Sequence, residues 1–169
     1  PGIDYARRGG LYQVGLHRYT DTDEVHSFTR LDTDLVQHFP ILRETWVVSV
    51  RGRLQSVMDV ADDVPFFLLP SLGSGSTLRA YGSWRFRDRH AALFSGEWRW
   101  IVSRMALDMA VFYDTGAVAP RVKGIAWDQF ASDVGIGIRF HGPTRTPLRV
   151  ELAHGREGWN LVFAASGAF

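Results

Sequence analysis

The sequence contains no cysteine. That removes disulfides, thiolate metal sites and thiol nucleophiles in one step. Lysine is nearly absent: Lys123 stands alone, so almost all positive charge is arginine. Neither sign of charge is in excess. The 19 basic and 18 acidic residues leave a formal net charge of +1, which gives no electrostatic case for nucleic acid. No apolar run approaches the ~20 residues of a membrane-spanning helix, and no amphipathic helix can be traced. The six histidines are scattered without metal-ligand spacing. Ser71, Ser74 and Ser76 lie in a Gly-Ser stretch, not in a nucleophile elbow. No nucleophile, metal-ligand or cofactor constellation stands out from these residues. The sequence opens at Pro1 without a methionine or a leader. The expectation is a trimmed precursor or the tail of a longer polypeptide.

What the sequence has is alternation. Its 169 residues fit one domain, residues 1–169, of which 46% are apolar. Val134, Ile136, Ile138 and Phe140 fall on one face of a run, with Asp133, Gly135, Gly137, Arg139 and His141 on the other. A period of two is the signature of a strand. Leu148, Val150 and Leu152 oppose Arg149 and Glu151 in the next run, and Trp159, Leu161 and Phe163 share a face of the last, which ends at Phe169. Upstream, Phe94, Trp98 and Trp100 oppose Ser95, Glu97 and Arg99, and Met109, Val111 and Tyr113 oppose Asp108, Ala110, Phe112 and Asp114. Trp46, Val48 and Val50 oppose Ser49, Arg51 and Arg53; Leu31, Leu35 and Phe39 oppose Arg30, Asp32 and Asp34; Tyr12, Val14 and Leu16 oppose Gln13, Gly15 and His17. About eight strands result, in an antiparallel up-and-down meander.

Short links at Pro40 to Glu44, Ser103-Arg104 and Gly142 to Thr146 alternate with longer ones at Asp59 to Asp88 and Ala117 to Gln129. Transmembrane barrels alternate tight periplasmic turns with longer outer loops, which places the C-terminus on the periplasmic side. Alternation alone leaves a soluble barrel or sandwich that binds a ligand open. Strands beyond the ~5–6-residue average of soluble sheets and aromatics near the turns favour the membrane barrel. These aromatics are Tyr19, Phe39, Trp46, Trp100, Tyr113, Phe140 and Trp159. Arg51, Arg53, Arg99 and Arg139 then read as polar luminal lining. Asp32 with Asp34 and Asp62 with Asp63 read as solvated carboxylates near a strand end and in a loop.

The long loop, about residues 59–88, is too apolar for an idle surface segment. Its Gly73-Ser74-Gly75-Ser76 stretch runs into Leu78-Arg79-Ala80-Tyr81 and then Arg85-Phe86-Arg87-Asp88. Here the sequence resembles the BamA-like outer-membrane assembly superfamily, the bacterial surface antigen family. In that family a long outer loop folds into the lumen and carries a V/L/I-R-G-F/Y motif at its tip. The resemblance continues with Glu97 in S-G-E-W-R-W, Asp114 in V-F-Y-D-T-G, the run Gly135-Ile136-Gly137-Ile138-Arg139-Phe140 with its turn through Pro143 and Pro147, and the aromatic terminus Phe169.

The resemblance implies an all-β transmembrane barrel of sixteen strands, of which this chain holds the C-terminal half. It implies an outer-membrane location, lipid around the barrel, and a second copy or another chain segment to complete it. It further implies assembly, insertion or translocation of client outer-membrane proteins, aided by periplasmic factors, without covalent chemistry. An alternative is an anchor or pore barrel for an upstream or partner domain, for example a patatin-like phospholipase. Arg79 and Tyr81 on the loop, with Glu97 and Asp114 on the wall, would form a loop lock with a gating role. Trp159, Phe163 and Phe169 would mark the closing strand and its assembly signal, although Ala165 and Gly167 weaken that signal's alternation. Ala80 stands where the family usually has glycine, which raises the question of whether the backbone there needs a positive φ.

Overall fold

The computed structural model describes residues 6–20, 27–42, 45–58, 64–103, 106–142 and 148–165. Eight long strands form one antiparallel sheet: β1 (Gly9–Tyr19), β2 (Phe28–Ile41), β3 (Trp46–Met58), β6 (His90–Ser103), β7 (Leu107–Ala119), β8 (Ala131–Phe140), β9 (Leu148–Gly155) and β10 (Gly158–Ala164). Each pairs with its neighbour in chain order, as a meander requires. A two-residue ladder inside the long loop, β4 (Ser71–Leu72) with β5 (Phe86–Arg87), was not foreshadowed by any alternation. Among the described residues β1 pairs only with β2 and β10 only with β9, so closure is not seen.

Link lengths follow the expected parity with one exception. The β9–β10 link, on the long-loop side, is the tight turn Arg156-Glu157 after β9 ends at Gly155. β7 also runs on to Ala119, so the following link begins later than alternation suggested. The turn residues Pro143 and Pro147, together with Asp62, Asp63 and Phe169, lie outside the described residues.

The faces are inverted relative to a water-soluble sheet. Val14 is 72% exposed, Ile136 54% and Phe163 66%, whereas Arg139, Glu151 and Asp114 are each about 1% exposed. A soluble sandwich buries the apolar face and hydrates the charged one, because desolvating charge is far costlier than wetting a methyl group. Here the charged face is concave and filled, and the apolar face looks outward. Lipid would cover such a surface. The inversion decides between the two architectures that alternation had left open.

The concave face is filled by the loop. Leu72, Leu78, Ala80 and Tyr81 pack against Ala91, Leu93, Phe112, Ala131 and Ala153 of the wall. Small wall residues leave depth for the larger loop side chains. At the outer end, Phe28, Val57 and Val64 form a second apolar cluster, with Tyr19 stacked on Phe28 at 4.6 Å. At the short-turn end, Trp46, Trp98 and Trp100 touch in series with centroids 5.2 and 5.0 Å apart. Indole rings at strand ends suit a membrane interface.

Candidate functional site

Period two sends Glu97 of β6, Asp114 of β7, Asp133 and Arg139 of β8, and Arg149 and Glu151 of β9 to the same luminal face. The loop then delivers Arg79 into their midst. Its Nε donates to Asp114 Oδ2 at 2.7 Å and its Nη2 to Asp114 Oδ1 at 3.1 Å, a bidentate pair. Its Nη1 donates to Glu97 Oε2 at 3.3 Å and to Glu151 Oε1 at 3.1 Å. Its guanidinium lies over the Phe112 ring, 3.5 Å from the centroid. Burial opposes the charge on Arg79, but Asp114 foremost, then Glu151 and Glu97, more than reverse this and hold its pKa above the ordinary arginine value.

The wall carries its own half of the network. Arg139 donates to both oxygens of Glu97 and, at 2.8 Å, to Glu151. Arg149 donates to Glu151 Oε2 at 2.8 Å and to the Gly75 carbonyl of the loop at 2.9 Å. Arg139 and Arg149 are direct cross-strand partners, a repulsive pairing that the carboxylates of Glu97 and Glu151 offset.

The Gly-Ile-Gly-Ile-Arg run now has a steric reason. A Cβ on Gly135 would lie 2.3 Å from the Phe112 ring, and one on Gly137 would lie 2.7 Å from Glu151 Cγ. Two missing side chains make room for the ring under Arg79 and for the carboxylate beside it. Gly73 serves the loop itself, with φ +99° and the Gly82 carbonyl where a Cβ would stand.

The residues flanking Arg79 fix the tip. The Ala80 amide donates to Asp133 Oδ2 at 3.0 Å. Tyr81 donates its hydroxyl to the Ser132 carbonyl at 3.1 Å and accepts from the Arg156 amide at 3.2 Å. Asn160 of β10 donates to the Arg79 carbonyl at 2.7 Å. Ala80 is not among the positive-φ residues, so this backbone has no need of glycine.

Arg79, Tyr81, Glu97 and Asp114 thus come together. Trp159 and Phe163 do not join them: both point outward from β10, 69% and 66% exposed. Glu151, Arg139, Arg149, Asp133 and Phe112 complete the cluster without having been singled out as its members. The usable signal was that all five fall on the polar faces of consecutive strands. Asp32 and Asp34 are not solvated carboxylates at a strand end. They lie within β2 and not near its end, and each is paired, Asp32 with Arg30 and Gln55, Asp34 with Arg51.

Among the described residues three guanidiniums, Arg79, Arg139 and Arg149, meet four carboxylates, Glu97, Asp114, Asp133 and Glu151. Asp133 is the surplus anion. It faces Asp114 across the β7–β8 ladder, and its Oδ1 has no hydrogen-bond partner among the described residues. Asp133→Asn keeps an oxygen for the Ala80 amide while removing that charge. Its expected effect on unfolding in detergent by urea is within about 1 kcal/mol of zero, neutral or stabilising. A loss as large as that of removing Arg79 would show that the charge itself is needed.

Residues 8–158 match the model of the Omp85 superfamily domain. The fold is similar to that in the crystal structure of BamA from Haemophilus ducreyi lacking POTRA domains 1-3, with a TM-score of 0.77 and 14% sequence identity. That match covers 97% of this chain and 40% of the other, so the chain spans well under half of the protein it resembles. No curated protein sequence matches. The eight-stranded sheet corresponds to part of a BamA barrel. A family of generally non-enzymatic outer-membrane barrels accounts for the inverted faces and the filled lumen, and this chain belongs to the Omp85 superfamily.

Proposed function

We propose that the chain supplies half of a sixteen-stranded outer-membrane barrel that assists the insertion, assembly or translocation of outer-membrane proteins. The observation that carries this reading is the closing hairpin. β9 and β10 are braced from the lumen by the loop, through Arg149 on Gly75, Asn160 on Arg79 and Arg156 on Tyr81. The outer edge of β10 meanwhile has no strand beside it among the described residues. A braced but unpaired strand is a template for β-augmentation. Left bare in lipid it is untenable, since each unsatisfied backbone group there costs several kcal/mol. Another copy or another segment must therefore pair with it at rest, and a client strand can replace that partner.

The native mass in detergent tests the half-barrel. The expected mass corresponds to two copies, or to one copy joined to further strands. A cysteine pair on the two edges, Val14→Cys with Leu161→Cys, should cross-link between barrel halves; this chain has no native cysteine to interfere. A monomer of this chain cross-linked within itself would overturn the half-barrel. Vesicles carrying the intact assembly should speed the folding of an unrelated outer-membrane barrel. An intact assembly that gives no acceleration would replace insertion with the anchor reading.

A further inference from the structure

Away from the lock, a cavity of about 280 Å³ lies between the loop and the luminal face of β2 and β3. Arg30, Arg53 and Gln55 line it from the wall, and Ser71, Ser74 and Ser83 from the loop. No carboxylate lines it among the described residues.

The cations are held in place or held free. Arg30 Nε and Nη2 both donate to Asp32 Oδ1, at 3.0 and 2.9 Å, and Nη1 donates to the Leu68 carbonyl at 3.2 Å. Nearby Arg51 is fixed by Asp34 and by the Ser76 carbonyl at 3.0 Å. Arg53 stands opposite Asp34 across the β2–β3 ladder, but among the described residues it makes no hydrogen bond or close ion pair, because Asp34 is taken by Arg51. Among the described residues three guanidiniums thus stand against the two carboxylates Asp32 and Asp34. This corner of the lumen has a surplus cation, as the lock has a surplus anion. The hydroxyls of Ser71 and Ser83 are also without partners among the described residues and can rotate to donate. A volume of 280 Å³ holds about nine waters at ~30 Å³ each. One tetrahedral oxyanion with part of its hydration shell fits.

We propose that this cavity binds a phosphate-type oxyanion, with Arg53 as its principal donor. Guanidinium is suited to the task, because its planar fork matches two oxygens of a phosphate at once. Arg30, preset by Asp32 and Leu68, and the loop hydroxyls complete the donor set. The anion is either free phosphate or the phosphorylated end of a lipid headgroup that enters from the outer mouth.

Titration of the native assembly in detergent with inorganic phosphate at low ionic strength, read by calorimetry or phosphorus NMR, tests the site. The expected result is saturable binding of one anion per chain. Arg53→Gln should weaken it at least tenfold. Arg85→Gln, whose guanidinium pairs with Glu157 outside the cavity, should leave it unchanged. Should Arg53→Gln fail to fold, Ser71→Ala with Ser83→Ala should still weaken binding severalfold. Competition by glycerol 3-phosphate as strong as by phosphate identifies a lipid headgroup; its failure identifies the free anion. Non-saturable uptake, or equal affinity in the Arg53→Gln protein, would overturn the proposal.

Discussion

Arg79→Ala is expected to destabilise the folded barrel by about 3–5 kcal/mol, the usual result of removing one partner from a buried ionic cluster. The damage should localise. Glu97 keeps Arg139, and Glu151 keeps Arg139 and Arg149. Asp114, which takes two hydrogen bonds from Arg79, has no second guanidinium among the described residues and is left facing Asp133 across the ladder. Two buried carboxylates then share one place with no cation between them. Adding Asp114→Asn to Arg79→Ala should therefore recover part of the loss, because it removes the stranded charge; the coupling in that double-mutant cycle measures the pair. Arg79→Lys should recover little. An ammonium keeps the charge but loses the bidentate fork and the flat contact with Phe112. The measurement is the temperature at which the compact, fast-migrating gel form disappears, together with urea unfolding followed by tryptophan fluorescence. Unchanged values for Arg79→Ala would rule out the lock as a source of stability.

The cluster around Arg79 was partly legible because each of its parts obeys a local rule. Period two alone assigns Glu97 and Asp114 to the polar face, and the flexible Gly-Ser stretch before Arg79 marks a loop able to reach them. Glu151 and Arg139 obey the same rule, and the sequence places both on polar faces. What the rule lacks is depth along the strand. Glu97 on β6 and Arg139 on β8 have β7 between them and meet only because the sheet curves and their heights coincide. No pairwise spacing in the sequence encodes that curvature. The glycines carried the missing information in another form. Gly135 and Gly137 are absences on the luminal face, and their meaning emerges only once Phe112 and Glu151 are seen to occupy the space above them. Asp32 and Asp34 failed for the opposite reason. Each had a nearby cation in sequence or across the ladder, and a reading by exposure alone left them solvated.

Gly155→Val is expected to expel the loop tip while leaving the β9–β10 pairing intact. A Cβ at this position would lie 2.9 Å from Ala80 Cβ and 3.0 Å from Tyr81 Cζ. Overpacking of this kind costs about 1–3 kcal/mol when neighbours can shift. Here they are poorly able to. The tip is pinned by the Ala80 amide on Asp133, by Tyr81 on Ser132 and by Arg79 on Asp114. Any retreat that accommodates valine pulls Arg79 away from its carboxylates, so the loss should approach that of Arg79→Ala. Gly155→Ala should cost less, and Ala80→Gly in the same chain should restore much of it, since one methyl group is exchanged for another across the same contact. The restoration stays incomplete because Tyr81 still meets the added Cβ. Ala80→Gly alone should cost no more than about 1 kcal/mol, the entropy of one freed backbone position. This exchange gives the sequence's departure from the family's usual glycine a specific meaning: alanine fits at position 80 because β9 presents glycine opposite it. If Gly155→Val melted and migrated as the parent does, the tip would not be seated against the closing hairpin, and the proposed brace of β10 would lose its support.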